Sequence, residues 1–145
     1  MRFKSLLILA LPVSLAAHAS PYADELGKCL VDATTKEDRT ALVRWMFAAA
    51  AAHPAVAAIA NVSPKAMEDA NATTGALITR LLTESCKDQA KKALNYEGPL
   101  TLQLSFQVLG QVAATELFTS PQVKQAMSGL EKTVDKKKLE ELKSQ

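Results

Sequence analysis

The sequence predicts an all-α protein, a compact bundle of five or six helices held by one disulfide. Three observations lead there. Ser-Pro pairs punctuate the chain at positions 20–21, 63–64 and 120–121, each offering a capping hydroxyl before a Pro at a first helical position. The segments between them are rich in Ala and Leu, with only 5 glycines in 145 residues, and their apolar residues recur at three- and four-residue steps. Two cysteines, Cys29 and Cys86, follow an N-terminal stretch that reads as an export leader.

That stretch bears on the compartment. Arg2 and Lys4 form a basic start, Leu6 to Ala17 an apolar stretch too short to span a membrane, and Ala17-His18-Ala19 a small-x-small cleavage site. A signal peptide over residues 1–19, cut between Ala19 and Ser20, is therefore expected, and the protein is placed in the periplasm or outside the cell. Cys29 lies well beyond the cut and lacks lipid-attachment flanks, so a free mature protein is expected. In an oxidising compartment two cysteines pair by default. Neither has the C-x-x-C spacing or basic cluster that would mark a reactive thiol.

Residues 20–135 read as one helical domain and 136–145 as a charged, frayed helical tail. The first helix runs from Pro21 to Ala33, with Leu26, Cys29 and Leu30 on one face. Thr35 and Asp38 resemble a capping box for the second, whose stripe is Leu42, Val43, Met46, Phe47 and Ala50. It stops at His53, before Pro54. A short helix, Pro54 to Ala60, precedes the longest one, which opens at Ser63. Its stripe is Met67, Ala70, Thr74, Leu77, Ile78, Leu81, Leu82 and Ser85, with Cys86 following and a weakly amphipathic continuation from Lys87 to Asn95. "LTLQLSFQV", Leu100 to Val108, alternates apolar and polar like a strand. No second alternating run exists to pair with it, so Pro99 to Phe118 is read as helix, with Leu102, Phe106, Leu109, Ala113 and Leu117 inward. A last helix opens at Pro121, with Val123, Met127 and Leu130 as its stripe.

The run "RWMFAAAAAHP", residues 44–54, is broken by His53-Pro54 and is too short and too Ala-rich to cross a membrane; it is read as tight helical core. Removing Arg2 and Lys4 from the 17 basic residues leaves a number equal to the 15 acidic ones, so no electrostatic footprint for nucleic acid or an anionic membrane is expected. No nucleophile elbow, zinc-binding helix, phosphate loop or haem-attachment motif occurs, and neither metal nor cofactor is expected. The acidic doublets suit helix starts better than a glycosidase pair.

Three residues stand out as candidates. His53 has the chemistry of a general base but sits at a helix end, where meeting terminal carbonyls is the simpler role. Arg44 and Trp45 are the residue types in which binding energy concentrates, if their helix face is exposed. Gln103, Gln107 and Gln111 form a polar stripe, read as solvated.

A leader, then Cys29 and "TTKEDRTALVRWMF", then "AHP", then a second Cys after a long helix: this layout resembles that of small exported, all-helical proteins of Gram-negative bacteria. The resemblance implies export and a helical fold; it supplies no activity, cofactor or functional residue. Small disulfide-stapled inhibitors and immunity proteins share the architecture only. The expected function is thus a non-enzymatic module that binds another periplasmic protein. A carrier of an apolar small molecule, lined by Met46, Phe47, Met67 and Phe106, is the alternative. A small hydrolase using His53 is the third reading.

Overall fold

The computed structural model describes residues 20–142, and among these the chain is helical with no strand. The elements are α1 (Pro21–Asp32), α2 (Lys36–Ala50), α3 (Pro54–Ala57), α4 (Pro64–Arg80), a π turn (Leu81–Ser85), α5 (Lys87–Glu97), α6 (Leu100–Thr119), α7 (Pro121–Glu131) and α8 (Lys136–Glu141). Six of them have eleven residues or more, whereas α3 and α8 are only 4 and 6 residues long. The leader expected over 1–19, with its cut before Ser20, lies outside the described residues.

Helix α1 lies against α6 and α5, and α2 against α4 and α6. The core between them is aliphatic, with Leu26, Leu30 and Leu81 fully buried and Leu109 nearly so. Helix α1 approaches α6 closely because Gly27 lacks a side chain. A Cβ there would meet Val108 Cγ2 at 3.3 Å and the Ser105 carbonyl at 3.6 Å.

Local signals set most boundaries. The Thr35 hydroxyl accepts from the Asp38 N–H at 3.1 Å while the Asp38 carboxylate accepts from the Thr35 N–H at 2.9 Å, the expected capping box. The Ser63 and Ser120 hydroxyls cap α4 and α7, accepting from Ala66 and Val123. Ser20 does not cap α1. The Glu97 carboxylate takes that role from 75 residues away, accepting the Tyr22 and Ala23 N–H groups at 3.1 Å each. Tyr22 and Tyr96 stack beside it with ring centroids 4.9 Å apart. Gly98, at φ 83°, makes the turn from α5 into α6 in a conformation that side chains other than glycine's disfavour.

Two expected stripes need correction. The α4 stripe was expected to run through Ser85, but Ser85 is exposed and Cys86 is fully buried. The π turn causes this: the Cys86 N–H donates to the Leu81 carbonyl at 2.8 Å, five residues back, so one extra residue enters the turn and the following side chain points inward. Cys86 thereby reaches Cys29 on α1, and the two form a disulfide with Cα atoms 5.9 Å apart. On α6 the most buried line is Thr101, Ser105, Leu109 and Ala113, whereas Leu102, Phe106 and Leu117 are half-buried. Apolar residues surround α6, so periodicity does not select a face; close packing against Gly27 selects the small ones. The Ser105 hydroxyl tolerates burial because the Thr101 carbonyl lies 2.8 Å away and that of Ala23 2.9 Å. The strand-like stretch Leu100–Val108 is helical, as read.

The Ala-rich run is a third correction. Ala48 and Ala51 are buried, but Phe47, Ala49, Ala50, Ala52 and His53 are exposed, and Ile59 beyond them is 87% exposed. Helix α2 packs through Leu42, Val43, Met46 and Ala48, and one side of its last turn stays in solvent.

Two ion pairs tie α2 to its neighbours: Arg80 to Asp38 at 2.8 Å and Arg39 to Glu116 at 2.6 Å. Burial alone would raise the Asp38 carboxyl. The Thr35 N–H, the Arg80 charge and the side-chain hydrogen bonds from Thr35 and Arg80 outweigh it and hold the group below its ordinary value of 3.8. A carboxyl lowered in the folded state stabilises the fold above its unfolded pKa and loses that contribution as pH falls through the folded one. Asp38→Asn should therefore flatten the acid limb of stability against pH, measured as urea midpoints from neutral pH down through the carboxylate range.

Candidate functional site: an apolar groove between α2 and α4

A concave feature lies between α2 and the first half of α4, over the end of α6. It is a groove of about 590 Å³. Val43, Arg44, Phe47 and Ala48 supply one wall from α2. Ala66, Ala70 and Thr73, four and three residues apart on α4, supply the other, and Leu117 of α6 contributes from below. The local cause is side-chain size. Alanine and threonine at the facing α4 positions are too small to fill the space beside α2, so Phe47 stays 59% exposed at the edge of an apolar trough.

Charge is confined to two groups. Asp69 belongs to the lining but is already held by Lys65, one turn before it, at 3.0 and 3.1 Å. Arg44 makes no hydrogen bond or ion pair among the described residues. A second depression of about 370 Å³ shares Val43, Arg44 and Leu117 with the groove and runs on to Ser120, where α7 begins. The arrangement can bury apolar groups and pair one anion with Arg44.

Of the three candidates read from the sequence, only Arg44 lines the groove. Trp45, the next residue, turns away from it: half-buried, its indole N–H donates to the Asn71 side-chain oxygen at 3.0 Å and links α2 to α4. His53 is exposed and caps α3, its Nδ1 accepting from the Ala55 N–H at 3.2 Å. That differs from the role expected at the end of α2, because the chain turns after Ala50 and places the imidazole at the start of the next helix. The proposed small-molecule lining does not assemble. Phe47 borders the groove and Met67 a smaller depression, while Met46 and Phe106 pack on the core. Gln103, Gln107 and Gln111 are exposed.

The α4 residues Ala66, Ala70 and Thr73 are the site residues that sequence reading missed; Phe47 was read both as part of the α2 stripe and as lining for an apolar ligand, and it borders the groove. The three- and four-residue spacing of Ala66, Ala70 and Thr73 was legible, but an alanine stripe ordinarily signals close helix packing. Among the described residues no group of three or more His, Cys, Asp or Glu side chains could hold a metal ion. No helix there is long and apolar enough to cross a membrane. No protein-family model, no curated protein and no solved structure matches this chain.

Proposed function

We propose that this is an exported, non-enzymatic protein-binding module that acts in the periplasm through the α2–α4 groove. The observation that carries the reading is the exposed Phe47 ring, set at the edge of an apolar trough beside an Arg44 that has no partner among the described residues. Aromatic and Arg side chains are the residue types in which the binding energy of an interface concentrates. The leader and the paired cysteines support export. Phe47→Ala and Arg44→Ala should each weaken the complex about tenfold or more, with helicity and thermal midpoint unchanged because both side chains are exposed. Unchanged affinity in both variants would remove the groove from the account.

One observation favours a second reading. A volume of about 590 Å³ falls within the range of roughly 300–1,000 Å³ typical of small-ligand sites. A carrier of an apolar molecule would show an organic-extractable compound in the purified protein. The protein-binding reading is preferred because the trough opens to solvent and leaves its main aromatic ring exposed, whereas ligand sites enclose most of their occupant.

A further inference from the structure

The outer face of α6 has the composition of a buried one. Of the 20 residues of α6, Glu116 is the one with an ionisable side chain, and it is paired with Arg39. A helix apolar on every side ordinarily lies in the interior of a larger body. Here α1, α2 and α5 pack on α6, and the side turned to the bundle buries Thr101, Ser105, Leu109 and Ala113. The opposite side stays in water, with Leu100 62%, Leu104 38% and Phe118 54% exposed. Gln107 and Gln111 lie between them and are exposed too, and Ala114 is half-buried.

The spacing of these residues is the second observation. Leu100, Leu104, Gln107, Gln111, Ala114 and Phe118 follow one another at steps of four, three, four, three and four residues. That alternation is the step of a coiled-coil seam, narrower than the stripe a helix lays on a globular core. The seam is also palindromic. Set antiparallel on its own copy about a two-fold axis at the middle of α6, Leu100 falls opposite Phe118, Leu104 opposite Ala114 and Gln107 opposite Gln111, and each pairing occurs twice. Apolar residues meet apolar ones, and at Leu104 a large side chain meets a small one. At the centre amide meets amide, and each Gln has both donors and an acceptor with which to answer the other.

We infer that this chain forms a two-fold dimer in which α6 packs antiparallel on α6 of a second copy. Charge suits that occupant. A two-fold axis brings like onto like, and the seam carries no charge to repel its own image. Depletion of charged residues is also what marks the core of a protein interface. Area suits it as well. One side of a 20-residue helix, about 30 Å long and 10–12 Å across, presents roughly 500 Å². Two identical sides match by symmetry and together bury on the order of 1,000 Å², enough for a specific interface. The central amides fix the register at some cost in affinity. Leu117, the α6 residue that lines the α2–α4 groove, is not part of the seam, so the two surfaces are tested separately.

The test is sedimentation velocity of the full chain across micromolar concentrations. A dimer is expected. Leu100→Glu with Phe118→Glu, both at exposed positions, should raise its dissociation constant about tenfold or more at unchanged helicity. Charges at the centre read the orientation. A chain carrying Gln107→Glu and Gln111→Glu should be monomeric, as should one carrying Gln107→Lys and Gln111→Lys, and an equimolar mixture of the two should recover a heterodimer. A chain carrying Gln107→Lys and Gln111→Glu should dimerise alone, because the antiparallel register sets opposite charges face to face, whereas a parallel one would set like on like. A wild-type chain that is monomeric at every concentration overturns the inference. So does a dimer indifferent to the end and centre substitutions, or a mixed-charge chain that stays monomeric. Phe47→Glu should leave the dimer intact; loss of the dimer in that variant would move the self-contact to the groove and overturn the inference as well.

Discussion

Replacing Cys29 and Cys86 together by serine should lower the unfolding free energy by about 4 kcal/mol, the chain-entropy value for a closed loop of this length. The two residues are 57 apart, and the loop they close contains α2, α3, α4 and the π turn. In the oxidised chain α1 cannot drift from α4 when unfolded, so the bond acts mainly on the unfolded ensemble. A small helical protein has about 5–15 kcal/mol of net stability in total, and the loss removes a large share of it. Urea unfolding of the double variant against the oxidised protein gives the number. A change below about 1 kcal/mol would mean that residual structure in the unfolded chain already restricts it as strongly as the bond does.

The second large effect is expected at Leu81. It is fully buried where α4 passes into the π turn, and its carbonyl accepts the Cys86 N–H. Leu81→Ala deletes core volume at the point where α4, the π turn and the disulfide meet, and should cost about 3 kcal/mol, within the usual range for a buried leucine. Leu130→Ala, at an exposed position, should cost under about 0.5 kcal/mol in the monomer. Chemical denaturation of the two variants side by side separates the core from the exposed face of α7.

Legibility in the sequence followed the range of the interaction that set each feature. Helix starts at Thr35, Ser63 and Ser120 were readable because a cap and its target lie within three residues. The Cys29–Cys86 pair was readable because the sequence holds only two cysteines and its N-terminal stretch reads as an export leader, which leads one to expect an oxidising compartment. Helix α6 was readable despite strand-like alternation, since a strand would have lacked a partner. The cap of α1 was not, because Glu97 arrives from 75 residues away and nothing near Ser20 announces it. The π turn is likewise invisible to a periodic reading, which assumes a constant residue count per turn and so places Ser85 rather than Cys86 inward.

The site itself was half legible. Arg44 was marked by its residue type, and it lines the groove. Trp45 and His53 were marked by the same reasoning, yet one links α2 to α4 and the other caps α3. Phe47 fell within an apolar stripe and was read as core in the leading reading and as ligand lining in the alternative, and neither showed that its ring would stand exposed. Amphipathic spacing shows which side chains could be covered together; it does not show whether a neighbouring helix arrives to cover them. Here α4 brings alanines, and the ring stays in solvent.

The most direct test of the protein-binding account is native mass spectrometry of the chain recovered gently from its native cell, in parallel with Phe47→Glu. The account predicts a protein-sized adduct, other than a second copy, on the wild-type chain and its loss from the variant at unchanged helicity. An adduct of only a few hundred daltons, or such a protein adduct that survives the substitution, would contradict it.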